Sequence, residues 1–360
     1  MRLVLFWVSL WLIGVGHACL NDRDTLRREA VLKPDIFHAI IGWFDRMPAE
    51  YYQARIERLK TGTPSIPELD DLSVAYDRIG QPERAAEIIE PKLLRMRKVT
   101  EYQWTRMEER HPLPPKMVTR LGFQKYHTYS YHANYGTFLV HDWLKNRRDS
   151  EQLDEAIVQI RTALNIYPEA HDKREWVQLS LMEWMREGAK GLPNNLEDPD
   201  FATGLAGLIT WGAAWESPDA FRLLAHALVA QDDGIGLAQL ALERERELLA
   251  AGKKLRWTLP AVKFPEVQET DRTTLFRELR AKADAMNQSF EGYVRERLAK
   301  GQHPDTHPEF WDQWQPPRAP TLPGPKGSAL DSVLVWIFPG GLALLGMTLV
   351  LLKLRKPKPV

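Results

Sequence analysis

The stretch "DLSVAYDRIGQPERAAEIIEP", Asp71 to Pro91, indicates how this 360-residue chain folds. Apolar residues recur at helical spacing at Leu72, Ala75 and Ile79, and the same period restarts after the turn. Between the two runs stands Gly80-Gln81-Pro82, a combination that interrupts a helix. The stretch therefore predicts two short helices joined by a tight turn.

The same stretch resembles the tetratricopeptide repeat, a unit of about 34 residues in which small and aromatic residues lie where two helices touch. Five residues stand at that family's large, aromatic, turn, small and large positions: Leu72, Tyr76, Gly80, Ala85 and Ile89. The next small position falls on Lys92, which departs from the pattern and predicts that the second helix ends early, at Pro91.

A second match to this repeat covers Ala133 to Pro168, where Gly136 takes the small position of the first helix. The second helix's positions are taken by Ala156, Ile160, Ala163 and Pro168. The interval from Gly136 to Ala156 is longer than the repeat allows, so residues 145–152 form an inserted loop or a helical extension. A third, degenerate match runs from Ala220 to Gly252.

These matches, and the lack of alternating strand patterns, predict an all-α fold for residues 19–302. Isolated repeats cannot bury their own apolar faces, so we expect the intervening helices to complete the stack. The resemblance implies TPR-like stacked helical hairpins, an α-solenoid.

The composition narrows the classes of partner and cofactor. Lys plus Arg and Asp plus Glu both number 48, with no long run of one sign, so nucleic acid is not the expected partner. Cys19 is the only cysteine, which excludes an intrachain disulfide and an all-Cys metal site. The pair His303 and His307 lies between prolines that break a helical ligand face. We therefore expect neither a metal nor a cofactor.

Residues 1–18 have the layout of a secretory signal peptide, with Arg2, an apolar run from Leu3 to Val15 and small residues before a cleavage site at Ala18. The apolar run is shorter than the ~20 residues that span a bilayer. Cleavage would leave Cys19 as the new N terminus, which resembles the lipobox of bacterial lipoproteins and implies lipidation at Cys19. Plain signal cleavage beside an incidental cysteine is the alternative.

Residues 333–352 carry no charge and are long enough to cross the ~30 Å hydrocarbon core, so they predict one transmembrane helix. The basic tail, 353–360, is expected in the cytoplasm by the positive-inside rule. Proline-rich residues 303–332 predict an extended stalk between body and membrane. We expect a single-pass protein of the cytoplasmic membrane with its body outside, periplasmic or at the cell surface. A sorting signal that is cut off is the alternative for this C terminus.

Two features invite a chemical interpretation. Asp22, Asp24 and Thr25 resemble an acidic phosphotransfer loop, but they follow a cleavage site instead of a buried strand, so we expect Asp24 or Thr25 to cap a helix. Residues 122–138 concentrate aromatic rings and two histidines, either as the packed first helix of the second repeat or as a wall of ligand contacts. Nucleophile-elbow, Walker and dinucleotide motifs are absent from the sequence.

The resemblance also implies where a partner binds, because tetratricopeptide ligands usually meet first-helix residues that point away from the partner helix. The corresponding residues are Asp70, Val74, Asp77, Arg78, Ser130, Ala133, Thr137 and His141. Their mixed polarity suits an extended peptide, so we expect a membrane-anchored extracytoplasmic scaffold for a protein or peptide partner. The alternative is an enzyme of unrecognised type with a site near residues 122–141. A pocket of converging acids and histidines would favour the enzyme, and an open groove would favour the scaffold.

Overall fold

A computed structural model of the chain describes residues 20–29, 33, 35–113, 121–146, 150–212, 214–231, 234–264 and 272–322. The predicted signal peptide, Cys19, the predicted transmembrane helix and the basic tail lie outside these residues. Within the described ranges, we find no helix that is both long and apolar enough to cross a membrane.

The described part of the chain is all-α and contains no β-strand. Its helices are α1 (Arg23–Glu29), α2 (Ile36–Ile41), α3 (Ala49–Lys60), α4 (Ile66–Arg78), α5 (Pro82–Ile89), α6 (Lys92–Met96), α7 (Glu101–Arg110), α8 (Phe123–Asn146), α9 (Ser150–Ile166), α10 (Arg174–Arg186), α11 (Pro199–Trp211), α12 (Pro218–Val229), α13 (Ile235–Ala250) and α14 (Arg272–Ala299). Short 3-10 turns lie at Ala170–Lys173, Ala214–Glu216 and Pro308–Trp311.

The first predicted helix pair is α4 and α5, which pack against each other. A capping box of Ser65 and Glu68 begins α4, because each side chain accepts a backbone N–H of the other residue. Gly80 has a φ of 80°, which L-residues rarely adopt, and Pro82 then opens α5. Helix α5 ends at Ile89, slightly before the predicted Pro91.

The second predicted pair is α8 and α9. A Cβ atom on Gly136 would lie 2.9 Å from the carbonyl oxygen of Ala156, so the small residue is required for the close contact that the repeat pattern predicts. Helix α8 continues to Asn146 and α9 begins at Ser150, so residues 145–146 and 150–152 of this stretch are helical. The third match likewise forms a packed pair, α12 and α13.

Within the described residues, helices contact both their neighbours along the chain and helices that are distant in sequence. From α8 onward each helix contacts the next along the chain, α5 contacts α8, and α14 returns to contact α2 and α3. The coarse prediction of packed helical hairpins is confirmed, whereas the finer prediction of an α-solenoid stays a prediction.

The folded body extends past its predicted end at residue 302. Phe310 is fully buried, and Trp311 stacks on Phe290 of α14 with ring centroids 5.8 Å apart. Asp305 is buried against Arg55 of α3. The first compact unit reaches Pro317, and a second begins at Arg318. Residues 303–314 are thus packed body, and a stalk after them stays a prediction.

The aromatic run 122–138 lies inside the body as the first half of α8. Tyr126, Tyr129 and Phe138 are essentially inaccessible to solvent. The interpretation of this run as a packed helix is confirmed for these rings. Its inner face adjoins α4 and the N-terminal segment, which we define as residues 20–29, and there the polar side chains concentrate.

Candidate functional site

The predicted groove residues lie on two helices that contact each other, α4 and α8. Asp70, Val74, Asp77, Ser130, Ala133, Thr137 and His141 are buried, and Arg78 is half-buried. They line an interior surface instead of an open groove. Whether these residues bind a partner stays a prediction.

Four of these side chains are occupied by interior contacts. The imidazole Nδ1 of His141 lies 2.6 Å from a carboxylate oxygen of Asp77. Arg78 donates to the main-chain carbonyls of Trp211 and Gly212, the latter at 2.8 Å. Thr137 accepts a hydrogen bond from Gln178 at 3.0 Å.

The N-terminal segment occupies the space between these helices. The Asn134 carboxamide of α8 accepts the backbone N–H of Asn21 at 2.7 Å and donates to its carbonyl at 2.9 Å. The Asp71 carboxylate of α4 accepts the backbone N–H of Arg23 at 3.0 Å and its guanidinium Nε at 2.7 Å. Leu20 is fully buried in the apolar cluster of Val74. The two helices therefore hold a polypeptide segment largely by its backbone.

The far end of the N-terminal segment is fixed by Glu29. Its carboxylate accepts Arg174 Nη1 at 2.5 Å and pairs with the imidazole of His171. His171, Asp172 and Lys173 have φ values of 50°, 51° and 69°, a left-handed run that L-residues adopt only when their surroundings hold it. The contact with Glu29 is one such restraint.

The start of α1 joins a buried ion network around Arg55 of α3. The Arg55 guanidinium binds Asp305 through Nε at 3.0 Å and Nη2 at 2.8 Å, and it binds Asp24 through Nη1 at 2.9 Å. Asp22 accepts the N–H of Thr25 at 2.8 Å and therefore caps α1. The expectation that Asp24 or Thr25 is the cap is wrong, because Asp24 points to Arg55 and Tyr51 instead.

Asp70 is the centre of a second buried network. Its carboxylate accepts Lys92 Nζ at 2.6 and 2.7 Å, Asn134 Nδ2 at 3.0 Å and Ser130 Oγ at 3.1 Å. The imidazole Nδ1 of His127 lies 3.3 Å from the same carboxylate. The Lys92 ammonium, which is fully buried, also donates to Ser130 Oγ at 2.8 Å. Lys92 therefore departs from the repeat pattern because it supplies the counter-ion of Asp70.

Burial sets the protonation of this cluster. It lowers the pKa of His127 to about 4, although Asp70 opposes the shift. Burial alone would raise the pKa of Asp70, but Lys92 and His127 reverse the shift and hold it below its usual value. At neutral pH His127 is therefore a neutral imidazole. Its Nδ1–H donates to Asp70, an assignment that follows from the partner, and its Nε2 is left as an acceptor.

Burial shifts the pKa of the neighbouring carboxyl group, Asp71, in the opposite direction. It raises the pKa of Asp71 to about 6, although Arg23 and Arg55 favour the charged form. It also lowers the pKa of Lys92, a shift that Asp70 offsets only in part. Desolvation and ion pairing thus shift the pKa of each of these side chains in opposite directions.

A cavity of about 620 Å³, which we call the site cavity, opens beside these networks. Its floor includes Asn21, Asp70 and His127, which are at most 4% exposed. Both polar atoms of the Asn21 carboxamide and Nε2 of His127 are buried without a hydrogen-bond partner among the described residues. Exposed Arg27 and Arg110 lie at the rim. The floor therefore offers hydrogen-bonding groups to a ligand.

The arrangement restricts the chemistry that the cavity could support. A neutral His127 oriented by Asp70 has the geometry of a general base. Ser130 is fully buried, donates to Asp70 and does not line the cavity, so it is not placed as a nucleophile. Among the described residues, no cluster of three His, Cys, Asp or Glu side chains is placed to hold a metal ion.

Sequence reasoning missed three residues of the site. Lys92 was visible as a break in the repeat pattern, but its partner was not. Asn134 stands in an otherwise aromatic run, and its distance from Asn21 along the chain conceals their contact. No local signal separates Asn21 from an ordinary polar residue at the start of a helix.

The chain matches no protein-family model, no curated protein and no solved structure.

Proposed function

We propose that this chain is a membrane-anchored, extracytoplasmic helical-repeat protein that binds a polypeptide partner at the site cavity. The observation that carries the proposal is the cavity floor, where both polar atoms of the Asn21 carboxamide and Nε2 of His127 are buried without a partner among the described residues. A carboxamide offers one acceptor and one donor and so complements a peptide group, as the Asn134 carboxamide does with the backbone of Asn21. The anchoring and the location follow from the sequence segments at the two ends of the chain.

The size of the cavity limits what part of a partner it accepts. The N-terminal segment already fills the surface between α4 and α8, and the space beside it is about 620 Å³. Pockets of ~300–1,000 Å³ accommodate small ligands. A partner therefore contributes a few extended residues to this cavity, not a whole helix.

A pull-down with a variant of the cavity floor tests the proposal. His127→Leu removes a hydrogen-bonding atom from the floor, so we expect loss of partners captured from native membranes and identified by mass spectrometry. His132→Leu is the matched control, because His132 lies on the same helix, bonds to Gln159 of α9 and does not line the cavity.

Both variants should first be shown to unfold cooperatively, so that misfolding is separated from lost binding. Identical partner lists from the wild type and His127→Leu would contradict the proposal. Equal losses from both variants would also count against it, because His132 lies outside the cavity.

An enzyme is the second candidate, and the His127–Asp70 pair favours it. Three acids and two histidines do converge on the cavity. However, Asp22, Asp70 and Asp71 are each held by a cation, Arg55, Lys92 or Arg23. This leaves the two histidines, His111 and His127, and of these His127 is oriented by the carboxylate of Asp70.

The two candidates differ in what happens to the bound molecule. A binding protein releases its peptide unchanged, whereas a hydrolytic enzyme with His127 as base yields products that mass spectrometry detects. Turnover that is abolished by His127→Gln and retained by His132→Gln would establish the enzyme. Recovery of intact peptide after long incubation would support binding alone.

A further inference from the structure

The unpartnered atoms of the cavity floor indicate the group that binds there. The Asn21 carboxamide presents one acceptor and one NH₂ donor, both buried and without a partner among the described residues. Nε2 of the neutral His127 side chain adds a second acceptor. An acceptor and a donor together complement an amide, and the further acceptor takes an N–H. The floor therefore suits peptide groups better than a carboxylate, which Nε2 would repel.

The rim of the cavity, in contrast to its floor, is positively charged. Arg27 and Arg110 are exposed there, and Arg27 lies 4.5 Å above the ring of Trp311. The acids near the cavity do not neutralise this rim, since the cations at Arg55, Lys92 and Arg23 already hold them. The rim therefore attracts an anionic group.

Part of the remaining wall is apolar. Leu113 is buried and Leu26 is half-buried beside Pro67, so these three residues offer a surface for an aliphatic side chain. A ligand that matches floor, wall and rim has amide groups at one end, a small aliphatic side chain and an anionic group at the other end.

We propose that the site cavity binds a short peptide with a free C-terminal carboxylate, oriented with its amide groups at Asn21 and His127 and its carboxylate at Arg27 and Arg110. This inference rests on the proposed function, because it specifies which polypeptide the cavity accepts. The volume of about 620 Å³ suits such a small ligand.

Titration calorimetry on the full-length protein in detergent micelles tests the inference with two probes. The probes are N-acetyl-alanyl-alanine with a free carboxylate and the same compound as its C-terminal amide. We expect the free acid to bind about tenfold more tightly, because a hydrogen bond to a charged group is roughly twice as strong as one to a neutral group.

Two rim variants locate the carboxylate. Arg27→Gln and Arg110→Gln should each weaken binding of the free acid several-fold and leave binding of the amide unchanged. Arg106→Gln is the matched control, because Arg106 is also exposed on α7 but pairs with Glu109 and lies outside the cavity. These exposed positions are not expected to disturb folding.

The floor variant His127→Gln should weaken binding of both probes by the same factor. Equal affinity for acid and amide would overturn the carboxylate inference and leave the proposed function standing. A preference for the acid that survives both rim variants would also overturn it. Failure of both probes to bind would overturn the inference and remove short peptides from the proposed function, which the pull-down tests separately.

Discussion

At the scale of single residues, the buried pair of Asp70 and Lys92 determines how the inner surface of the body is held together. Both groups lose hydration on folding, and only their mutual contact and the bonds to Ser130 and Asn134 compensate for this. Removing one partner leaves a charge without compensation in the interior. Breaking such a pair therefore lowers the stability strongly, even where the intact pair contributes little net free energy to folding.

Lys92→Met should lower the free energy of unfolding by ~3–5 kcal/mol, because Asp70 then stays buried without its counter-ion. Denaturant unfolding of the purified protein measures the effect. Lys98→Met is the control on an exposed lysine nearby, and it should change stability by less than ~0.5 kcal/mol.

The double variant Lys92→Met with Asp70→Asn should recover part of the loss, since no unpaired charge then remains. Equal stability of Lys92→Met and the wild type would mean that the pair does not exist in solution.

The pH dependence of stability should report on His127. Its pKa is about 4 in the folded protein and near 6.5 when exposed, so between these values the unfolded chain binds a proton that the folded protein does not. Stability therefore falls as the pH falls from about 6.5 to about 4. His127→Gln should reduce the slope near pH 5 by up to ~1.4 kcal/mol per pH unit.

The other titrating groups are present in both proteins, so the difference in slope reports His127 together with the change that its loss causes in the pKa of Asp70. The pKa of His303 is also lowered to about 4 and acts in the same direction, whereas that of Asp71 is raised to about 6 and acts in the opposite direction. Chemical denaturation at several pH values measures the two slopes. Parallel curves for wild type and variant would contradict a neutral, buried His127.

At the scale of helices, the sequence predicted the helix pairs that are determined by the spacing of nearby residues. The α4–α5 pair follows from the apolar period and the turn at Gly80, and the α8–α9 pair follows from Gly136 and Ala156. What the helices enclose was not predictable in this way. Asn21 contacts Asn134, and Arg55 contacts Asp305, although the two residues of each pair are far apart in the sequence. No periodicity in the sequence encodes such contacts.

Overpacking at the helix contacts tests the repeat interpretation. Ala85 and Ala156 are fully buried, so Ala85→Leu and Ala156→Leu should each lower the free energy of unfolding by ~1–3 kcal/mol. Val158→Leu, on the exposed side of α9, is the control and should have little effect. Unchanged thermal unfolding in both alanine variants would mean that these helices do not pack as the structure describes.

At the scale of the whole molecule, residues 303–314 illustrate where composition misleads. Their prolines predicted an extended stalk, and proline does exclude regular helix here. However, Phe310 is an apolar side chain that is buried in the body, and Asp305 is a carboxylate that pairs with buried Arg55. Burial of Phe310 and the ion pair of Asp305 with Arg55 hold the segment against the body, so it packs instead of extending.

Truncation should reveal where the body ends. A fragment of residues 20–317 should unfold at the same temperature as one of residues 20–322. A fragment of residues 20–302 lacks Phe310 and Asp305 and should lose at least ~3–5 kcal/mol, the typical cost of removing one buried aromatic side chain. Equal stability of all three fragments would place residues 303–317 outside the body.

The orientation of the chain in the membrane is the last prediction, and it rests on the two ends of the sequence. We predict that a signal peptide at residues 1–18 exports the body and that the basic residues after the apolar run 333–352 retain the tail in the cytoplasm. Lys190 is exposed on the body, so Lys190→Cys should react with a membrane-impermeant thiol reagent in intact cells, whereas Lys358→Cys should react only after lysis. The wild type gives the background from Cys19. Labelling of Lys358→Cys in intact cells, with Lys190→Cys protected, would reverse the proposed topology and exclude an extracytoplasmic partner.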